Sequence, residues 1–252
     1  MKKSWSKKVS NVKKVILSLF LSVCLNLPAL SMAQTQAPRI ALLDSGATGY
    51  VDRVISFTSL AADQDPLNHG TIVAKLVRQG NPHAKIFMLQ VCENIDGQWK
   101  PSPRAVIAAL QWVIQNNIDI VNLSLVLGKN PKIDALIKEA TLQHGTIFVA
   151  AAGNPTLNSH FAFDTKGLVY RASRSRDVST AFPSSNPYVI SVGSLKTRGT
   201  QSSQKKVCDI YANGKAGRQE GSSFACARIT ARIIELFSTF PDHRKENILA
   251  AL

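Results

Sequence analysis

Six short apolar runs punctuate the chain, at residues 40–43, 85–91, 118–126, 146–152, 188–192 and 207–212. They are too short for helices and mostly lack the strict polar–apolar alternation of a strand with one wet face. The pattern therefore predicts strands buried on both faces. Between them, apolar residues recur at helical intervals over 69–78, 103–116 and 131–144. A fourth helical pattern opens at Ser222, the expected cap, and continues through Phe224, Ala225, Ile229, Ile233, Ile234 and Phe237. Strands alternating with helices imply parallel crossover units. The expected fold is a single α/β domain with a doubly wound, mostly parallel sheet flanked by helices. No internal repeat or low-complexity segment interrupts it.

The N-terminus follows a different pattern. Six lysines and no acidic residue lie between Lys2 and Lys14, followed by an apolar stretch over 15–25 and then Asn26, Pro28 and Ser31-Met32-Ala33. This order predicts a secretory signal peptide over 1–33, cleaved after Ala33, and a mature domain over 34–252. The stretch of 11 residues falls short of the roughly 20 that a spanning helix needs, so no stable membrane span is expected. A retained anchor is the alternative, and Leu21-Ser22-Val23-Cys24 matches a lipoprotein box only loosely. The whole chain has 30 basic and 16 acidic residues, formally +14; the six signal lysines account for the fall to +8 in the mature part. Among the remaining basic residues, Arg171, Arg174 and Arg176 crowd one segment beside Asp177, most simply a solvated loop. No nucleic-acid-binding signature accompanies the charge.

Candidate chemistry sits at the ends of the apolar runs. Asp44 lies in the string IALLDSG directly after the apolar residues 40–43, His69 lies in NHGT, Asn154 closes FVAAAGN and is preceded by Gly153, and a serine pair, Ser222 and Ser223, opens the last helix in GSSFA. An acid, a base, an amide donor and a hydroxyl are the groups acyl transfer requires. The hydroxyl needs a neighbouring base to take its proton, and imidazole titrates near neutrality. A carboxylate must fix the imidazole tautomer, and a donor aimed at the developing oxyanion lowers the barrier by about 2.7–4 kcal/mol. From the residues alone, either serine could be the nucleophile. No His/Cys cluster has zinc-ligand spacing, and nothing in the chain calls for a metal or a cofactor.

In their order, these four strings resemble the subtilisin-like serine protease family, or subtilases, over roughly residues 38–240. The resemblance implies Asp44 as the acid, His69 as the base, Ser223 rather than Ser222 as the nucleophile, and Asn154 in the oxyanion hole. It further implies that Ser124, Leu125 and Val126 form the edge along which a peptide substrate lies, and that the arginine segment borders the main specificity pocket. Cys92 and Cys208 would then lie on distant strands, unbridged, with Cys226 a small buried residue on the helix of Ser223.

The chain also departs from the family pattern. Ile72 and Lys75 replace a histidine and a glycine, so Lys75 needs an exit to solvent. Cys226-Ala227-Arg228 stands where a proline and a histidine are usual. Val126 replaces a glycine on the substrate edge, and the usual calcium-binding loop after the His69 helix is shortened, so no calcium is expected. About ten residues separate Ala33 from Asp44, too few for the family's inhibitory pro-segment. Two readings of different class stand. The first is a secreted or periplasmic serine endopeptidase acting on protein or peptide substrates through an acyl-enzyme. The second is a catalytically weak or inactive domain that binds extended peptides or a partner protein. An esterase would share the first mechanism.

Overall fold

The structure, a computed structural model, describes residues 37–153, 161–164, 167–170, 182–195, 208–239 and 244–252. The expected signal peptide, Asn154 and the arginine segment lie outside the described residues.

In chain order the elements are β1 (Arg39–Asp44), β2 (Arg53–Ser56), α1 (His69–Val77), β3 (Lys85–Gln90), β4 (Cys92–Ile95), β5 (Gln98–Pro101) and α2 (Pro103–Gln115). There follow β6 (Ile120–Leu123), α3 (Pro131–His144), β7 (Ile147–Ala151), β8 (Phe161–Asp164), β9 (Gly167–Tyr170), β10 (Val189–Leu195) and β11 (Ile210–Asn213). The chain ends in the short β12 (Lys215–Ala216) and β13 (Gln219–Glu220), then α4 (Ser222–Leu236) and α5 (Lys245–Ala251).

Seven strands form one sheet in the order β11-β10-β7-β6-β1-β3-β2, every neighbouring pair parallel. The apolar runs are continuous because both faces are covered. In β1, Ile40 and Leu42 join one core layer, with residues of α1 and α4, while Ala41 and Leu43 join the other, with residues of α2 and α3. In β7, Ile147, Val149 and Ala151 alternate in the same way with Phe148 and Ala150. From β1 the chain builds β2 and β3 on one side and then crosses to β6 on the other. Strand order therefore reverses between β1 and β6, where the carboxyl ends of the strands leave a crevice.

All six apolar runs hold a strand and all four helical patterns hold a helix, with shifted ends. The 118–126 run is a strand only over Ile120–Leu123, and the last run contributes Ile210–Asn213. Gly221, not Ser222, is the N-cap of α4, and Ser222 is its first helical residue. Edge strand β2, the β4–β5 hairpin and α5 had no counterpart in the sequence expectation.

Candidate active site

Asp44 ends β1 and His69 begins α1, and two glycines let the segments carrying them meet. Gly46 has φ +127°, a conformation L side chains rarely adopt, and a Cβ there would lie 2.1 Å from the Gln64 carbonyl oxygen. A Cβ on Gly70 would lie 2.0 Å from the Gly46 carbonyl oxygen, so the first turn of α1 rests directly on the turn after β1. Within this contact His69 Nδ1 donates to Asp44 Oδ1 at 2.7 Å, with both side chains almost fully buried. The same carboxylate oxygen accepts the Ser45 backbone N–H at 2.7 Å. A neutral imidazole that donates from Nδ1 carries its lone pair on Nε2, and His69 Nε2 has no hydrogen-bond partner among the described residues.

Burial disfavours a charged imidazole, but the charge and hydrogen bond of Asp44, with a smaller contribution from Asp65, outweigh it. The His69 pKa is raised above its ordinary 6.5.

Ser223 is the second residue of α4 and is 3% exposed. Phe224, next along the helix, places its ring centroid 5.5 Å from that of His69, so the start of α4 lies against the imidazole. The Ser223 hydroxyl donates to the Ser124 carbonyl oxygen at 3.1 Å, not to His69. In return, Ser124 Oγ lies 3.0 Å from the Ser223 carbonyl oxygen and 2.8 Å from Asn122 Oδ1, its one hydrogen shared between the two acceptors. The Ser223 N–H is among the first four of the helix, which have no intrahelical acceptor. Asn154 lies outside the described residues; Gly153 before it has φ 92°.

Of the expected substrate edge, Ser124 and Leu125 are buried, Leu125 in the core layer that includes Phe182, while Val126 is half-buried. Just beyond, the Leu127 N–H donates to the Phe182 carbonyl oxygen at 2.8 Å. Lys75 does reach solvent, its ammonium 5.8 Å from the centre of the Tyr50 ring.

Cys92, Cys208 and Cys226 are unbridged. Burial raises the Cys92 thiol well above its ordinary pKa, reinforced by Asp44, Asp65 and Glu93, and burial pushes Cys226 up to about 12. Neither is a thiolate nucleophile near neutral pH.

Three residues that support this site were not singled out from the sequence. Asn122 interrupts an apolar strand, a visible signal. Asp65 stands four residues before His69, a spacing with no such obvious signature. Gln90, fully buried, donates to the Ser45 and Gln64 carbonyl oxygens at 3.1 and 2.9 Å, pinning the turn around Gly46.

The Subtilase family model matches residues 40–252. The chain belongs to this family. Among curated relatives, Subtilisin-like protease het-Q2 of Podospora anserina is 33% identical over 93 residues, 35% of this chain and 25% of that protein. Subtilisin amylosacchariticus of Bacillus subtilis subsp. amylosacchariticus is 23% identical over 201 residues, 71% of this chain and 48% of that protein. The chain thus spans between a quarter and a half of the length of these two relatives. Among solved structures, a cold adapted subtilisin-like serine proteinase aligns with TM-score 0.61 at 22% identity, over 84% of this chain and 79% of that one. The Prenylagaramide maturation protease PagA aligns with TM-score 0.60 at 18% identity, over 84% and 82%. These structures share the subtilase fold: a largely parallel seven-stranded sheet covered by helices.

Proposed function

We propose that this subtilase is an exported serine endopeptidase that cleaves protein or peptide substrates through an acyl-enzyme. One observation carries the reading: a buried Asp44–His69 hydrogen bond leaves Nε2 of the imidazole unpartnered beside the helix turn that bears Ser223. In this reading the Ser223 hydroxyl leaves the Ser124 carbonyl by a side-chain rotation, gives its proton to His69 Nε2 and forms a bond from Oγ to the substrate carbonyl carbon. Asp44 stabilises the resulting imidazolium, which then protonates the departing amine. The backbone N–H of Ser223 and the side-chain amide of Asn154 receive the oxyanion. Water, deprotonated by the same imidazole, hydrolyses the ester. The substrate lies extended along Ser124, Leu125 and Val126. Residues 1–33 serve as a signal peptide, and the domain over 34–252 acts in a periplasm or outside the cell.

The test is labelling of purified residues 34–252 by a fluorophosphonate, beside Ser223→Ala and Ser222→Ala. Labelling retained in Ser222→Ala and lost in Ser223→Ala is expected. A folded wild-type chain that takes up no probe would sink the protease reading and leave a peptide-binding domain in its place.

A further inference from the structure

A second carboxylate is built into the contact between acid and base. Asp65 lies in the loop that leads into α1. Its Oδ1 accepts the Ser45 hydroxyl at 2.7 Å, and its Oδ2 accepts the Thr71 N–H at 2.8 Å and the Thr71 hydroxyl at 2.6 Å. The Ser45 oxygen in turn accepts the Gly70 N–H at 3.1 Å and lies 3.2 Å from Asp44 Oδ1. Its single hydrogen is directed by the shorter distance toward Asp65. These bonds close a ring that runs from Asp44 through Ser45, Asp65, Thr71 and His69 back to Asp44. Together they tie the turn after β1 to the first turn of α1, directly and through the Asp65 loop.

Helix α1 has another polar tie to that turn, from the Thr48 N–H to Thr71 Oγ1 at 3.1 Å. Its N-cap, Asn68, is left-handed and makes no side-chain capping bond, and the first turn contains no acidic residue. His69 is the first residue of that helix, where the positive end of the helix dipole works against a charged imidazole. An external anion is therefore the group that offsets the dipole.

We propose that Asp65 is a positioning residue of this site: its carboxylate holds the base against Asp44, and its charge joins that of Asp44 in stabilising the imidazolium formed during the reaction. The proposal rests on the reading of His69 as the general base. The neighbouring elements supply no competing charge among the described residues. On β3 the facing group is the neutral Gln90 amide, and on β4 it is the neutral Cys92 thiol, with Glu93 beyond it. The first turn of α4 brings Ser222, Ser223 and Phe224, and the Arg228 guanidinium on the next turn is directed to the Phe224 and Lys215 carbonyl oxygens. Lys75, on α1 itself, is at the far end and exposed.

The experiment is an NMR titration of His69 in ¹⁵N-histidine-labelled Ser223→Ala protein, which reads the imidazole whether or not the wild-type chain is a protease. Asp65→Asn keeps the shape and removes the charge; His69 is expected to titrate at lower pH than in the parent. Thr71→Val removes one partner of Asp65 but leaves its charge, and the His69 titration is expected to stay in place. In protein with Ser223 intact, Asp65→Asn is expected to lower kcat by about tenfold or more, with KM within about threefold, as loss of base alignment predicts. If Asp65→Asn does not fold, Asp65→Glu is expected to fold and to titrate like the parent. An unmoved His69 titration in Asp65→Asn, an equal shift in Thr71→Val, or a Glu variant that does not restore the parent's behaviour overturns the proposal. Failure of probe labelling in the wild-type chain would bear on the protease reading alone.

Discussion

Asn122 offers the most direct check on how the proposed nucleophile is held. It is the polar residue of β6, fully buried on the face that meets α4. Its Nδ2 donates to Thr230 Oγ1 at 2.9 Å and to Cys226 Sγ at 3.2 Å, and its Oδ1 accepts from Ser124 Oγ at 2.8 Å. Replacement by alanine removes two bonds between good partners, about 1 kcal/mol each, and a weaker one to sulfur. The hydroxyls left behind are not orphaned. Thr230 Oγ1 still donates to the Cys226 carbonyl oxygen at 2.9 Å, and Ser124 Oγ still faces the Ser223 carbonyl oxygen at 3.0 Å. The full penalty for an unsatisfied buried donor therefore does not apply. The lost side-chain volume, roughly 25–30 Å³, adds about 0.6 kcal/mol if the site does not collapse. Asn122→Ala should thus cost about 2–3 kcal/mol, a fall in Tm of about 4–12 °C for a domain of this size. The assay is urea and thermal unfolding in a Ser223→Ala background, where self-digestion cannot distort the curves. Asn122→Asp should cost more near neutral pH, because it strands a carboxylate in the core, and should recover part of the loss on acidification. A loss below about 1 kcal/mol for the alanine variant would refute the idea that this network fastens β6 to α4.

Three further outcomes are expected. Gly70→Ala should cost about 1–3 kcal/mol, because its Cβ meets a backbone oxygen that cannot yield; it should also abolish fluorophosphonate labelling by parting His69 from Asp44, and denaturation with probe uptake reads both. The raised His69 pKa has opposite effects on activity and stability: the acid limb of kcat/KM should lie above pH 6.5, while the stability His69 contributes should be complete below the unfolded value and lost as pH rises through the folded one. Unfolding of His69→Gln and its parent from pH 6 to about pH 9 measures this, and a stability difference that is flat or grows with pH would contradict it. Lys245→Met should loosen α5, since its ammonium lies 2.8 Å from Asp209 Oδ2 and 2.7 Å from the Val189 carbonyl oxygen and helps hold the Asp209 pKa below its ordinary value. The expected loss is about 1.5–3 kcal/mol, with earlier proteolysis at the C-terminus.

The parts legible in the sequence are those fixed by burial on both sides. Residues 40–43 read as a strand because alternate residues enter two different cores and both demand apolar side chains. The same reasoning places Asp44 at a strand end, where the first polar residue after such a run must emerge. Strand β2 was not legible because its four residues, RVIS, sit at the sheet edge and are at most half-buried. Helix α5 is seven residues long and is held by the bonds of Lys245 to residues 36 and 56 positions away, which no local pattern records. Asp65 acts across 20 residues to Ser45, so its role depends on a loop path rather than on periodicity. The cap of α4 was misread because Ser222 has the chemistry of a cap, whereas the turn uses Gly221 with φ 171° and brings both serines inside the helix.

The precision of the site follows from sheet register more than from any single side chain. β1 and β6 are paired with Leu42 opposite Asn122. Asp44 and Ser124 each stand two residues further along, at the carboxyl ends of these neighbouring strands. His69 is fastened to the first of these residues and Ser223 to the second, through the reciprocal bonds between Ser124 and Ser223. The proposed base and nucleophile are thus each tied to one of two neighbouring strand ends, and the distance between them is inherited from the sheet. A slip of one residue would turn Asn122 away from α4 and send apolar residues to the wrong faces, so the core that stabilises the fold also fixes the geometry of the site. Gly70, Asn122 and Asp65 lie on the links between that register and the reacting groups. For that reason, substitutions at these positions should change chemistry and stability together.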